Sequence, residues 1–430
     1  MTALVKQHLI DPAVCIRCNT CEATCPVGAV THDSNNYVVD PQICNFCMDC
    51  VSPCPTGSIN HFVAVAKPFS LDEQFSWTDL PDEMIPADET ESAAPATVDA
   101  LDEEISALLD DAHQGAGGRM KAPLSASKPR INLYGRKSPA EAAVAGNFRL
   151  TADGASSDVR HVILDFGATS FPVLEGQSIG IVLPGADENG RPHKMRLFSV
   201  ASPRDGERPN TNNLALTVKR VVEQRPDGSV FRGRASNYVC DLKQGDKVLV
   251  AGPFGSTFLM PDDSDADIVM ICTGTGSAPF RAFTERRRRS HPNAKGRLYL
   301  FFGARSPQEL PYFGPLQKVP KTLLDQELVF SRLPGKPKEY VQDRMRGRGA
   351  DLAALLKKDT THVYVCGLRG METGVEQAFA EICASQNFDW ASCRARMREA
   401  GRFHVETYWD RRQISTLVPQ SPPSRHPARQ

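Results

Sequence analysis

The chain has 430 residues, enough for about three cores rather than one. Its 50 Lys and Arg stand against 51 Asp and Glu, a formal net charge of -1, so no overall bias points to nucleic acid or to an anionic membrane surface. No window approaches the roughly 18 continuous apolar residues of a membrane-spanning helix, and Met1 to Lys6 carry no signal-like apolar run, so a cytoplasmic protein is expected.

Thirteen cysteines in such a chain argue for metal ligation over disulfides, because that compartment keeps thiols reduced. Eight of them form an internal repeat. Asp11-Pro12 is followed by Cys15, Cys18, Cys21 and Cys25-Pro26, and Asp40-Pro41 by Cys44, Cys47, Cys50 and Cys54-Pro55, with equivalent cysteines 29 residues apart. Cys-x2-Cys-x2-Cys-x3-Cys-Pro is the bacterial ferredoxin spacing, in which three close cysteines grip one cluster and the fourth crosses to the other. Cys15, Cys18, Cys21 and Cys54 would hold one [4Fe-4S] cluster, and Cys44, Cys47, Cys50 and Cys25 a second. A pair of zinc sites is the alternative, since Cys-x2-Cys also opens zinc ribbons. This module spans residues 1–65. Cys240, Cys272, Cys383 and Cys393 show no ligand spacing and read as small buried apolar residues.

Residues 66–128 form an acidic linker. From Phe69 to Gly118 there are fourteen Asp or Glu and no Lys or Arg, the composition of a solvated segment without its own core. Within it, Leu101, Ile105, Leu108 and Leu109 share one helical face and predict a short amphipathic helix.

From 129 to 262 short β-rich runs such as Val162-Ile163-Leu164 and Leu216-Thr217-Val218 alternate with Gly, Pro and Asn turns, predicting an antiparallel β-barrel. From 263 to 408 the apolar strands Ile268–Ile271, Leu298–Phe302, Leu328–Phe330 and Val363–Val365 alternate with helical stretches, predicting an α/β domain with a parallel sheet. Residues 409–430 form a Pro- and Arg-containing tail. The expected fold class is therefore multidomain, with an α+β ferredoxin-like module, a β-barrel and an α/β domain.

Arg196-Leu197-Phe198-Ser199 follows a predicted strand, and Gly233-Arg234-Ala235-Ser236 precedes a helical turn; an arginine and helix-start amides suit a dinucleotide pyrophosphate, implying FAD. Thr273-Gly274-Thr275-Gly276-Ser277 lies between a strand and a helix, where glycines let backbone amides approach a second pyrophosphate. With Ala278-Pro279-Phe280-Arg281, Gly303-Ala304-Arg305, Ser331-Arg332, Lys338-Glu339-Tyr340-Val341-Gln342 and Cys366 to Glu372, these segments resemble the plant-type ferredoxin-NADP reductase family from about Asn132 to Tyr408. Phe198 stands where that family usually has Tyr.

The resemblance implies that Arg196, Leu197, Phe198, Ser199, Thr217, Lys219, Gly233, Arg234, Ala235 and Ser236 bind FAD. It further implies that Gly274, Thr275, Gly276, Ala304, Arg305, Gly367 and Leu368 bind NADPH, with Ser331, Arg332, Lys338, Tyr340 and Gln342 on its 2'-phosphate. A phosphate dianion calls for an arginine and strong donors where NADH offers only a hydroxyl. Ser199, Cys366, Glu406 and Tyr408 would shape the pocket in which hydride passes to the flavin. The family ends on that aromatic residue, whereas here Trp409 and the tail follow.

Nicotinamide gives two electrons as hydride while an iron-sulfur cluster takes one, and a flavin converts between the two modes. Fusion makes transfer intramolecular, raising the effective concentration to the order of mM for a suitable linker. No haem attachment motif or paired catalytic carboxylates stand out, so terminal chemistry is expected on another polypeptide. The order of modules resembles the reductase components of bacterial benzoyl-CoA 2,3-epoxidases, which implies a di-iron oxygenase as partner. A general NADPH:ferredoxin reductase and a non-catalytic iron-sulfur subunit are the alternatives.

Overall fold

The computed structural model describes residues 5–80 and 120–408, apart from 13, 14, 16, 48, 51–53, 55–57, 60, 61, 66, 79, 188, 210, 226 and 227. The expected helix bearing Leu101, Ile105, Leu108 and Leu109, and the tail 409–430, lie outside the described residues. No described helix is long and apolar enough to cross a membrane.

The 29-residue repeat folds as two interlocked halves. Val5–His8 pairs antiparallel with Phe62–Val65, and Val30–His32 with Tyr37–Val39. The small core repeats with the sequence: Ile10 and Val39, Cys21 and Cys50, Val30 and Ile59 are buried equivalents. So do the cross-links, since Asp11 N donates to Ser58 O and Asp40 N to Ala29 O, both at 2.8 Å. Each half therefore closes on the other.

Residues 67–80 fold onto this module. A helix, Leu71–Phe75, is started by a capping box between Ser70 and Glu73. Gln74, 2% exposed, donates to Val39 O at 2.9 Å while its carbonyl accepts from Val39 N at 3.1 Å. Gln7 makes the same pair of bonds with Phe69. A glutamine amide carries one acceptor and donors in backbone-like geometry, so Gln74 occupies the edge of Tyr37–Val39 as a strand would and Gln7 satisfies the Phe69 backbone.

The barrel is a six-stranded antiparallel sheet in the order Arg196–Ser199, Ser178–Val182, Lys247–Phe254, Ala140–Arg149, Val159–Asp165, Asn213–Lys219. A bridge between Val200 and Leu216, with Ala201 N donating to Ala215 O at 2.7 Å, joins the two outer strands and closes it. Alternation places Ala140, Ala142, Val144, Val162 and Leu164 inside.

The parallel sheet runs Leu324–Phe330, Leu298–Ala304, Asp267–Thr273, Thr361–Leu368, Phe403–Tyr408, one strand more than the sequence runs suggested. Ile268 to Cys272 on the central strand are 0–1% exposed, as expected of a strand covered by helices on both faces. Strand order reverses beside this central strand, which opens a crevice at the carboxyl ends of Asp267–Thr273 and Thr361–Leu368.

The other end of the acidic segment also has a place. Met120 is buried against this domain and its sulfur accepts from Val405 N at 3.0 Å. Lys121 pairs with Glu399, and Ser127 accepts from Arg204 NH1 at 2.9 Å.

Candidate redox and nucleotide sites

Neighbouring thiols mark two groups among the repeat cysteines. Burial pushes the Cys21 thiol up to about 11, with Cys15 and Cys54 nearby adding to it. Burial pushes Cys50 up to about 12, with Cys44, Cys25 and Cys47 adding. Cys54 thus sits with the first set and Cys25 with the second. Donors reach the sulfurs: Ala29 N donates to Cys25 Sγ at 3.2 Å, Ser58 Oγ lies 3.3 Å from Cys54 Sγ, and Thr20 Oγ1 lies 3.2 Å from Cys18 Sγ. A cubane takes thiolate ligands at four separate corners, and each Cys-x2-Cys-x2-Cys run with a fourth cysteine supplies that number and type of donor.

Arg196–Ser199 pairs with Ser178–Ile181, placing Ser178 opposite Ser199. Gly233 caps the helix Arg234–Asp241 with no side-chain bond to its first turn, and a Cβ there would press on Ser236 Oγ and Val221. Ser236 Oγ donates to Gly233 O at 3.1 Å and accepts from Val221 N, fixing the helix start. Arg234, exposed, reaches His193. The helix start thus offers uncapped amides with the exposed Arg234 beside them, a combination that suits a pyrophosphate. Lys219 is exposed, whereas Thr217 is buried and spends its hydroxyl on Tyr312 at 2.6 Å.

The crevice of the parallel sheet collects the second group. Gly274–Gly276 forms a single turn leading into Ser277–Ser290, whose first turn has no side-chain cap. A Cβ on Gly276 would collide with the Cys366 carbonyl, and Gly367, at φ 150°, brings the next strand against Thr273. Thr273 Oγ1 is buried without a hydrogen-bond partner among the described residues, an orphaned polar atom at the crevice floor. Cys366 stands opposite both Cys272 and Glu406 in register, and Leu368 opposite Tyr408. Burial, aided by Glu406, drives the Cys366 thiol well above its usual range, so it stays protonated. Tyr408 Oη lies 2.8 Å from Thr275 Oγ1. Buried Glu372 accepts from Thr407 Oγ1 at 2.6 Å, steadying the strand between Glu406 and Tyr408.

Ser331 N and Arg332 N donate to Ala304 O and Arg305 O, so these four residues lie together at the carboxyl ends of the next two strands. Arg332, Lys338 and Tyr340 are exposed there, and Tyr340 caps the helix Val341–Gly347 that carries Gln342.

One feature has no local sequence signal. Glu207 on the barrel accepts two 2.7 Å bonds from Arg281 of the α/β domain, and His161 Nε2 lies 3.2 Å from its Oε1. His161 Nδ1 is 3.0 Å from Tyr312 Oη, and Arg281 stacks over the Tyr312 ring at 5.1 Å. A carboxylate only accepts, so Arg281 and His161 Nε2 both donate to Glu207, while His161 Nδ1 and Thr217 Oγ1 both meet the Tyr312 hydroxyl. The circuit ties residues of the barrel to residues of the α/β domain.

Two family models match: an oxidoreductase NAD-binding domain over residues 270–377 and a 4Fe-4S dicluster domain over 14–58. The cyanelle ferredoxin-NADP reductase of Cyanophora paradoxa is 36% identical over 331 residues, covering 75% of this chain and 88% of that protein. The ferredoxin-NADP reductase of Spirulina is 36% identical over 288 residues, 65% of this chain and 98% of its own. Among solved structures, ferredoxin-NADP+ reductase from Plasmodium falciparum with 2'P-AMP superposes with a TM-score of 0.51 at 22% identity, over 65% of this chain and 99% of that one. That likeness is one of fold.

Proposed function

Because the chain belongs to the ferredoxin-NADP reductase family and is an NADPH-dependent oxidoreductase, we propose that it moves a hydride from NADPH to FAD and passes the electrons singly, through two [4Fe-4S] clusters, to a partner protein. The observation that carries this reading is the crevice at the strand-order reversal, where Thr275, Cys366, Glu406 and Tyr408 meet in a chain that also carries the Cys-x2-Cys-x2-Cys-x3-Cys-Pro run twice.

FAD, when bound, supplies the conversion from a two-electron donor to one-electron acceptors. The chain's own part is positioning. Arg196 and the Gly233–Ser236 helix start would hold the flavin pyrophosphate, Leu197 and Phe198 would also contact the flavin, and Ser199 would offer a hydroxyl near its edge; Thr217 and Lys219 belong to a strand of the same barrel. Gly274, Thr275, Gly276, Gly367 and Leu368 admit the NADPH backbone, with Ala304 and Arg305 beside it. Ser331, Arg332, Lys338, Tyr340 and Gln342 select the 2'-phosphate through charge-assisted bonds. Cys366 and Glu406 border the nicotinamide, the protonated thiol adding no charge there, while Tyr408, 39% exposed, covers the entrance.

The acceptor we propose is an oxygenase component, the di-iron subunit of a benzoyl-CoA 2,3-epoxidase. What supports that partner is the order of the modules along the chain.

Anaerobic titration with NADPH, and NADH in parallel, followed by optical and electron paramagnetic resonance spectra, tests the route. Flavin bleaching followed by reduced-cluster signals with NADPH, and little with NADH, is the expected result. Bleached flavin with both clusters still oxidised would sink it.

A further inference from the structure

The two cysteine sets are not equivalent with respect to the barrel. Val5–His8 pairs with Phe62–Val65 on one edge and, at Val5, forms an antiparallel bridge with Thr169 on the other. Thr169 lies in the turn joining the end of Val159–Asp165 to the start of Ser178–Val182. Ser178 is paired with Ser199, so that turn sits at the Ser199 end of the barrel. It is a firm mount. Thr169 N donates to Phe166 O at 2.9 Å, Asn212 Nδ2 donates to the carbonyls of Gly167 and Thr169, and Tyr134 Oη donates to Ser170 O at 2.7 Å.

The same outer strand ends at His8, buried, whose ring stacks on Phe46 at 6.1 Å and 25°. Phe46 lies inside the Cys44–Cys47 loop. Its repeat equivalent, Arg17, lies inside the Cys15–Cys18 loop and reaches instead the hairpin of Val30–His32 and Tyr37–Val39, donating to Asp33 O at 3.3 Å. Both residues hold the left-handed conformation, at φ 60° and 59°, with Phe46 set against one two-stranded sheet and Arg17 reaching the other. The loop against the outer sheet is the one on the barrel side. The other ends in an exposed turn, Arg17-Cys18-Asn19.

We propose that the ferredoxin module is mounted with a fixed polarity. Cys25, Cys44, Cys47 and Cys50 form the reductase-side set, and Cys15, Cys18, Cys21 and Cys54 the outward set that faces a one-electron acceptor protein across the Cys18 turn. The electrons balance: one hydride brings two, each set accounts for one, and both leave singly to the acceptor. This rests on the reading under Proposed function and adds an order that reading does not contain.

The test uses the full chain with Cys47→Ser and Cys18→Ser, iron analysis reporting which variants keep one cluster. In Cys47→Ser, NADPH should bleach the flavin but develop the remaining cluster's resonance on the order of tenfold slower than in the unmodified protein, while dithionite develops it fully. In Cys18→Ser, the loss should fall instead on reduction of cytochrome c, the acceptor probe. The reverse assignment of the two losses overturns the polarity. A Val5→Cys/Thr169→Cys pair keeps the idea testable where ligand variants lose both clusters. Directly bridged strands lie within disulfide reach, about 4.5–5.5 Å between Cα atoms. The bond should form and leave NADPH-driven cluster resonance intact; failure to form, or a bond that blocks that resonance, overturns the mount. If the unmodified protein shows bleached flavin and no cluster resonance, the proposed electron route fails rather than its polarity.

Discussion

Arg281 and Glu207 form a bidentate ion pair across the junction of barrel and α/β domain, both nitrogen-oxygen distances being 2.7 Å. The pair sits largely out of water, with side-chain exposures of 20% and 13%. Bidentate geometry defines an angle as well as a distance, so the pair sets how the crevice at Thr275 faces the barrel.

Glu207→Gln should therefore destabilise the protein by about 3 kcal/mol, because it leaves a buried guanidinium without its counter-charge. Urea unfolding measures it. The pair also sets an acid limit. Burial alone would raise the Glu207 pKa, but hydrogen bonds from His161 and Arg281 outweigh it and hold the carboxyl at about 2 against an ordinary 4.5. A depressed acid stabilises above its unfolded value and loses that contribution as pH falls from about 4.5 through 2, by roughly 2 to 3 kcal/mol. The Gln variant should show a correspondingly flatter acid limb, and an unchanged limb would contradict this account.

Arg332→Ala should raise the KM for NADPH by about ten- to a hundredfold, the worth of one charge-assisted bond to a phosphate, and leave that for NADH nearly unaltered. Steady-state assays with both nucleotides decide it. Equal effects on the two would move Arg332 out of the 2'-phosphate site.

Cys366→Ala should slow hydride transfer on the order of ten- to a hundredfold in stopped-flow traces of flavin bleaching, with little change in NADPH dissociation constant, because the thiol borders the reacting ring rather than the phosphates. Its pKa is driven well up by burial, so wild-type transfer should show no alkaline inflection from this group below about pH 9.

Met120 ties the end of the acidic segment to the strand that carries Glu406 and Tyr408. Met120→Ala should cost about 2–5 kcal/mol through the cavity it opens, and Met120→Leu under about 1.5. Comparable losses in both would mean that the sulfur bond to Val405, not packing, does the holding.

The 4Fe-4S domain, the glycine turn before Ser277 and the strand-helix alternation were legible from residue order, because each depends on partners within a few residues or on a repeat of constant length. The acidic segment was read from composition as solvated throughout, yet Gln74 and Met120 anchor its described ends. A single glutamine or methionine among acidic residues carries no periodic signal, and its partner lies 35 or 285 residues away. Thr217 shows the same limit: placed with the flavin contacts by resemblance, it spends its hydroxyl on Tyr312, 95 positions on.

Residue order by itself determined which atoms can ligate iron, which turns lack side chains and where the chain alternates between strand and helix. The tertiary structure alone decided that Val200 meets Leu216 to close the barrel, that Glu207 meets Arg281 to clamp the domains, and that Val5 meets Thr169. Local spacing is set by covalent geometry over a few residues. Contacts between distant segments exist only once whole domains have packed, and no short window of sequence encodes them.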